Sequence, residues 1–269
     1  MQPVRAKKQF GQHFLTDTSA AQRIADLIAP YKGVPVLEIG PGTGVLTAPL
    51  LDAGHDLYVI DIDRESIAYL HTAFPTLSAQ GRIVEGDFLR LAPADFIPGK
   101  PDTPLVIIGN YPYNISSQIF FRVWEQWERV VCACGMLQKE VAQRLCAPPG
   151  GRDYGILSVL LQLRYSARYV FTVPNTQFAP PPKVDGGVLM LTRNERTALP
   201  CDTDNFKRVV KTAFGQRRKT LRNALMSLFG KDYNYEADPI FKLRAERLSP
   251  DDFIYLTQRY EAIGTAAPA

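Results

Sequence analysis

From Val34 onward, short runs rich in β-branched residues alternate with helical patterns, and this alternation is the mark of a parallel sheet built from βαβ units. Strands are predicted at residues 34–39, 57–62, 82–86, 105–109 and 130–137. Several of these runs are apolar throughout rather than alternating, as expected when helices cover both faces of the sheet. Helices are predicted at 45–53, 64–74, 116–127, 139–146 and 154–165. Two more β-rich runs, 169–173 and 184–191, flank a loop containing Pro180-Pro181-Pro182 and are expected to close the sheet as an antiparallel pair. The expected fold class is therefore α/β, a doubly wound, Rossmann-like sheet of seven mostly parallel strands.

Beyond Pro200 the pattern changes to helices only, at 205–214, at 217–229 and in a last helix introduced by Ser249-Pro250-Asp251-Asp252. Serine caps free amides there, proline fits the first turn, and the acids suit the positive helix end. The predicted domains are 1–195, the α/β unit, and 196–269, a small helical one. A hydrophobic share of 46% and a charged share of 22% fit a globular chain and set aside disordered and collagen-like readings. No apolar run reaches the roughly 18 residues of a membrane span, and the basic start is not followed by an apolar signal core, so a cytoplasmic protein is expected. Cys132, Cys134, Cys146 and Cys201 match neither a zinc spacing nor a disulfide framework, so no metal is expected, and the first two read as buried strand residues.

Three acidic or glycine-rich positions follow successive strands. Glu38-Ile39-Gly40-Pro41-Gly42-Thr43-Gly44 lets the backbone turn sharply and approach a nucleotide-type cofactor closely. Taken alone it is equally a glycine-rich turn or a nicotinamide-binding motif. Asp61 ends the second strand, about 20 residues on, where a carboxylate can take both ribose hydroxyls of a nucleoside. Asp63, two residues later, reads as a helix cap or a solvated acid. Asp87 follows the third strand, where it could accept from an adenine amino group. All three strand ends point to the crevice in which open α/β sheets bind ligands.

Asn110-Tyr111-Pro112-Tyr113 at the end of the fourth strand separates the readings. An exocyclic adenine amine is a poor nucleophile because its lone pair is conjugated into the ring. The Asn110 side-chain carbonyl and the Tyr111 backbone carbonyl can both accept its N–H groups and favour a tetrahedral nitrogen aimed at a methyl donor. Pro112 fixes the turn, and Tyr113 can stack on an extruded base. A β-turn with a packed tyrosine is the plainer reading, but it leaves asparagine at the sheet edge unexplained.

These motifs, with Lys8-Gln9-Phe10-Gly11-Gln12-His13-Phe14-Leu15, Phe178-Ala179-Pro180-Pro181-Pro182-Lys183-Val184-Asp185 and Phe214-Gly215-Gln216-Arg217-Arg218-Lys219-Thr220-Leu221-Arg222-Asn223, give the chain a resemblance over nearly its full length. It resembles the bacterial small-subunit (16S) ribosomal RNA adenine N6,N6-dimethyltransferases. The resemblance implies a class I S-adenosylmethionine-dependent methyltransferase fold with a C-terminal helical domain. It implies S-adenosylmethionine as cofactor, contacted by His13, Leu15, Gly40, Gly42, Gly44, Asp61, Asp87, Phe88 and Asn110, with Asn110, Tyr111, Pro112 and Tyr113 catalytic. Phe178 is implied as the second aromatic face clamping the target base opposite Tyr113. Without the resemblance, the segment around His13 reads as a helix entry and Phe178 as a loop anchor. The chain departs from the usual pattern at Tyr111, commonly aliphatic, at His13, often asparagine, at Gly186, usually serine, and at Asp61, frequently glutamate.

A net charge of +4 does not by itself establish a polyanionic partner, but its distribution is uneven. Lys207, Arg208, Lys211, Arg217, Arg218, Lys219 and Arg222 crowd into a stretch nearly free of acids, a density suited to phosphates; Lys7 and Lys8 extend the basic surface. Reaching an adenine amine requires unpaired or extruded bases, so a loop target is expected. By resemblance, the target is two adjacent adenosines near the 3′ end of the small-subunit RNA, within a pre-assembled 30S particle. A monomer with a role in small-subunit biogenesis is expected. The rival readings are the large-subunit RNA adenine methyltransferase associated with macrolide resistance, an assembly factor, and, more distantly, a nicotinamide-dependent dehydrogenase.

Overall fold

The computed structural model describes Val4, Ala6, Lys7 and residues 11–265. Lys8, Gln9 and Phe10, which the sequence reading assigns to a motif and a basic surface, lie outside the described residues. The chain divides into two compact units, one of residues 1–143 and 166–193, the other of residues 144–165 and 194–269.

The first unit opens with β1 (Phe14–Leu15) and α1 (Thr18–Asp26), then alternates β2 (Val36–Ile39), α2 (Thr47–Asp52), β3 (Leu57–Asp61), α3 (Arg64–Ala73), α4 (Pro75–Ala79), β4 (Ile83–Glu85), β5 (Leu105–Asn110), α5 (Ser116–Glu125) and β6 (Val130–Gln138). α6 (Lys139–Cys146) and α7 (Ile156–Arg164) precede β7 (Tyr165–Val173), β8 (Phe178–Ala179) and β9 (Gly186–Arg193). Seven strands form one sheet in the order β4-β3-β2-β5-β6-β9-β7. β4, β3, β2, β5 and β6 run parallel, and β9 runs antiparallel to β6. The parallel strands are apolar because both faces are covered: all residues of β2 and β3, and all of β5 up to Gly109, are buried.

The sheet therefore grows outward from β2 in one direction through β3 and β4, and in the other through β5. The reversal places the carboxyl ends of β2 and β5 side by side, which opens a crevice there. Gly40 and Asn110 sit at those two ends.

Two elements near this crevice lie outside the predicted set. α1 is N-capped by Asp17, which accepts from Ser19 N and Ala20 N, and buries Ala20, Ala21, Ile24 and Ala25. β1 is only two residues long and pairs with β8, Phe14 opposite Ala179 and Leu15 opposite Phe178. The segment read as a helix entry is thus a strand, because its partner lies more than 160 residues away and leaves no periodicity in the sequence.

In the second unit, α8 (Thr203–Gly215) is capped by Asp202 and buries Phe206, Val209, Val210 and Ala213. The helix expected at 217–229 is instead a turn at 216–220 followed by α9 (Leu221–Ala224) and α10 (Met226–Phe229). Thr220 adopts an extended conformation and interrupts the run. α11 (Pro250–Thr265) begins as its sequence predicts, with Ser249 N donating to Asp252 Oδ2 and Asp252 N donating to Ser249 Oγ. Residues 144–165, which include α7, group with these helices rather than with the sheet. α7 is buried over nearly its whole surface, as its largely apolar sequence predicts. Among the described residues, no helix is long and apolar enough to cross a membrane.

Candidate active site

A cavity of about 250 Å³ lies at the carboxyl edge of the sheet, with Gly40, Asp61, Ile62, Asp87, Leu89, Asn110, Pro112 and Tyr113 among its walls. These residues stand at or just beyond the carboxyl ends of four strands, β2, β3, β4 and β5, so the topology rather than sequence proximity assembles the cavity. Gly40 has φ +66° and turns the chain away from β2 beside Asn110 and Pro112, a conformation that favours glycine.

Asp61 is 7% exposed and accepts from Asp63 N at 2.9 Å, with the amides of Gly42 and Ile62 also facing it. Burial nevertheless pushes its carboxyl up to about 6. A buried acid with spare acceptor capacity suits a pair of ligand hydroxyls. Ile62, 48% exposed, offers an apolar surface in the same cavity. Asp87 Oδ1 is held by Leu89 N at 2.9 Å and its other oxygen lies 3.4 Å from Arg90 Nε. Together these residues fit a nucleoside-bearing cofactor.

Asn110 is oriented by the segment preceding β1. Its Nδ2 donates to His13 O at 2.9 Å, so its side-chain oxygen is the atom left to accept from an incoming amine. That segment is tied at three points. His13 Nδ1 donates to Pro180 O at 2.8 Å, Gln12 Nε2 donates to Asp63 Oδ2 at 3.2 Å, and Lys7 Nζ pairs with Asp63 at 2.6 Å and Glu65 at 3.0 Å. Asp63 also accepts from Glu65 N and so caps α3, as one of its two sequence readings expected; it is buried rather than solvated. Burial works against its charge, but Lys7 and Gln12 outweigh it and hold the carboxyl below the usual range.

The Tyr111 side chain does not face the cavity. Its ring is 1% exposed, packs edge-on against Phe120 at 5.2 Å, and its hydroxyl donates to Cys134 O at 2.8 Å. Space for the ring exists because residues 109 and 135 are both glycine: a Cβ at Gly135 would come within 2.8 Å of it, and one at Gly109 within 3.3 Å. The aromatic ring at 111 is therefore accommodated by its neighbours and leaves the main chain at the cavity.

Tyr113 lines this cavity and a second one of about 650 Å³ beside it, whose walls include Gln138, Lys183 and Val184. Among the described residues its hydroxyl is buried without a partner, as for a group that a ligand completes, and burial, aided by the Asp185 charge, keeps it protonated. Phe178 is 3% exposed and meets Tyr113 edge-on, with centroids 6.5 Å apart and planes at 65°. In this arrangement the two rings do not present parallel faces, so stacking one base on both would require one of them to turn. Gly186 gives Phe178 its place, since a Cβ there would fall 3.1 Å from the ring and 2.8 Å from Met136 Sδ.

Other expected contacts lie off the cavity. Phe88 is 4% exposed with its ring on Phe96 at 4.9 Å, because the apolar ring is driven into the core. Leu15 is likewise a core residue. Gly42 and Gly44 do not line the cavity; their missing side chains make room for Phe14 and Phe74. Of the basic residues, Arg217 donates to the carbonyls of Gly151 and Arg152 and pairs with Glu246, and Arg222 pairs with Glu236 at 2.8 Å. These two are held by their own unit, whereas Arg218 and Lys219 are exposed on the 216–220 turn beside a cavity of about 330 Å³. Lys211 lies exposed on α8.

Glu38 is 1% exposed, accepts from Thr47 Oγ1 at 2.7 Å, and is pushed by burial up to about 8. A carboxyl whose folded pKa is raised favours folding fully below its unfolded value of 4.5 and loses that contribution as pH rises toward 8. Stability of the free protein is therefore expected to fall between pH 5 and 8, and Glu38→Gln is expected to flatten that slope. Denaturant midpoints across the range check this; parallel slopes in the two proteins would refute it.

The family model described as ribosomal RNA adenine dimethylase matches residues 4–254. The ribosomal RNA small subunit methyltransferase A of Porphyromonas gingivalis is 57% identical over 257 residues, covering 96% of this chain and 98% of that protein. The protein of the same name from Parabacteroides distasonis is 55% identical, covering 96% and 94%. Among solved structures, a dimethyladenosine transferase from Plasmodium falciparum superposes with a TM-score of 0.75 at 27% identity, covering 94% of this chain and 98% of that one. The 23S rRNA methyltransferase ErmE superposes with a TM-score of 0.64 at 25% identity, covering 92% and 99%.

Proposed function

The chain belongs to the ribosomal RNA adenine dimethylase family, and from that premise we propose that its substrate is small-subunit (16S) ribosomal RNA, in which it dimethylates N6 of two adjacent adenosines in a loop near the 3′ end. It is an S-adenosylmethionine-dependent ribosomal RNA adenine dimethyltransferase. The observation that carries the choice of RNA is the 57% identity, over almost the whole of both chains, to a protein named for the small subunit. Identity to the large-subunit enzyme is 25%.

When bound, S-adenosylmethionine supplies an electrophilic methyl group. Asp61 takes the ribose hydroxyls, Ile62 packs on the adenine, and Asp87 accepts from its amino group. His13 O fixes the Asn110 amide so that Oδ1 and the Tyr111 main-chain carbonyl accept the two N–H bonds of the target adenine. Tyr113, with Phe178 after reorientation, holds the base by stacking. The methylated cation left by attack is a strong acid and loses its proton to water, so no general base is required. Residues 196–269 bind RNA through the charge of Arg218 and Lys219, with Lys211 on the adjacent helix, and the enzyme acts as a monomer on a pre-assembled 30S particle.

Isolated small and large ribosomal particles lacking the modification, incubated with methyl-labelled cofactor, test this reading. Label is expected in small-subunit RNA as dimethyladenosine. Label confined to large-subunit RNA would overturn the choice of substrate.

A further inference from the structure

Between β4 and β5 the chain runs from Gly86 to Pro104 as turns without a strand partner: Arg90 N and Leu91 N both donate to Asp87 O at 2.9 Å, and a short 3-10 turn follows at Pro93–Asp95. Two cavity walls, Asp87 and Leu89, stand on this loop. These local bonds shape the turn, but they do not fix where it sits against the rest of the fold.

Arg122, on α5, reaches across to it. Its Nη1 donates to Leu89 O at 2.7 Å and its Nη2 to Leu91 O at 2.6 Å. The guanidinium carbon lies 5.6 Å from the Phe88 ring centroid and 5.3 Å from that of Phe96. A planar fork with two parallel donors can hold two carbonyls in one fixed relation, which a single ammonium cannot do. Leu89 is thereby gripped at both ends of its peptide, since Leu89 N donates to Asp87 Oδ1 at 2.9 Å. The remaining loop is held by a second arginine, Arg129, which donates to the carbonyls of Pro93, Lys100 and Thr103 and lies 5.8 Å from the Phe96 ring. α5 is also the helix into which the Asn110–Tyr113 turn leads. One side chain therefore ties the loop beneath the cofactor to the element that follows the catalytic turn.

We infer that Arg122 is a positioning residue of the cofactor site, holding the 87–91 turn so that Asp87 and Leu89 face the cofactor's adenine. The inference rests on Asp87 being a cofactor contact, as proposed above. Without the fork, the turn samples other conformations and cofactor binding must first order it, which weakens affinity while leaving the transfer step intact once cofactor is bound.

The test compares wild type with Arg122→Met, Arg122→Lys and Asp87→Ala. The affinity for S-adenosylhomocysteine is read by calorimetry, amide hydrogen exchange is read over residues 86–104, and kcat is measured at saturating cofactor. Arg122→Met is expected to weaken S-adenosylhomocysteine binding by at least roughly tenfold and to accelerate exchange in the loop, with kcat changing by less than about threefold. Arg122→Lys, which keeps the charge and much of the stem, is expected to lie between and serves alone where the methionine variant does not fold. Wild-type affinity and exchange in Arg122→Lys would overturn the inference. So would a fall in kcat at unchanged affinity, which would place the effect on α5 and Asn110. Unaltered affinity in Asp87→Ala would instead remove the reading of Asp87 on which the inference stands.

Discussion

Replacing Asn110 by alanine is expected to lower kcat by roughly 10²–10³ while the protein remains folded and keeps its affinity for RNA. The size follows from what the side chain does. Its Nδ2 is committed to His13 O, so its oxygen is a fixed acceptor rather than one that must be ordered during reaction. Removing it leaves the target amine conjugated into its ring and free to rotate away from the methyl group, and losing such alignment alone costs about 10². Asn110→Asp makes a sharper comparison. It keeps an acceptor but sets a carboxylate oxygen against the His13 carbonyl, so it should loosen the segment before β1 as well as slow transfer. Single-turnover rates at saturating cofactor, filter binding of RNA and a thermal melt check both variants. Equal loss of RNA binding and transfer in folded Asn110→Ala would count against the assigned role.

Gly135→Ala is expected to destabilise the protein by roughly 3–5 kcal/mol and lower its melting temperature by about 10 °C. Gly135 lies in the buried centre of β6 with φ +145°, a conformation L residues rarely adopt. A Cβ there would come within 2.1 Å of Gly109 O and 2.8 Å of the Tyr111 ring. The first contact is with backbone of the adjoining strand and has no rotamer to escape into, so β5 and β6 must part, and β5 carries Asn110 at its end. Activity should fall with stability. Tyr111→Leu in the same chain should recover part of the loss by removing the ring contact, leaving the backbone clash and the strain. Tyr111→Phe by itself should cost only about 1 kcal/mol, the hydroxyl's bond to Cys134 O. Melts of the single and double variants measure the coupling between the two positions. A Gly135→Ala protein as stable as wild type would dispose of this account.

Much of the fold was legible from residue order alone. Several parallel strands are largely apolar runs, and the longer helices between them show their own period, so both signals are local. Ser249 marks a helix start for the same reason, its side chain bonding to an amide three residues on. The basic stretch at 216–220 was legible as charge but misread as helix. The extended backbone at Thr220, and the bond of Leu221 N to Leu243 O next to it, depend on a segment more than 20 residues away.

The site divides along the same line. Gly40, Asp61, Asp87 and Asn110 stand at strand ends, and topology brings the ends of parallel strands together, so the sequence by itself determined the fold class and the gathering of these four residues around one crevice. Three things were decided only by tertiary structure. Tyr111 turns into the core because two glycines, one on the neighbouring strand, leave room for its ring. Phe88 and Leu15 bury their side chains while the residues beside them reach the cavity. Arg122 takes two carbonyls from a loop some thirty residues earlier in the chain. Their common cause is that a contact between side chains and backbone distant in sequence leaves no periodicity and no motif. It is set by which surfaces remain after the sheet has folded.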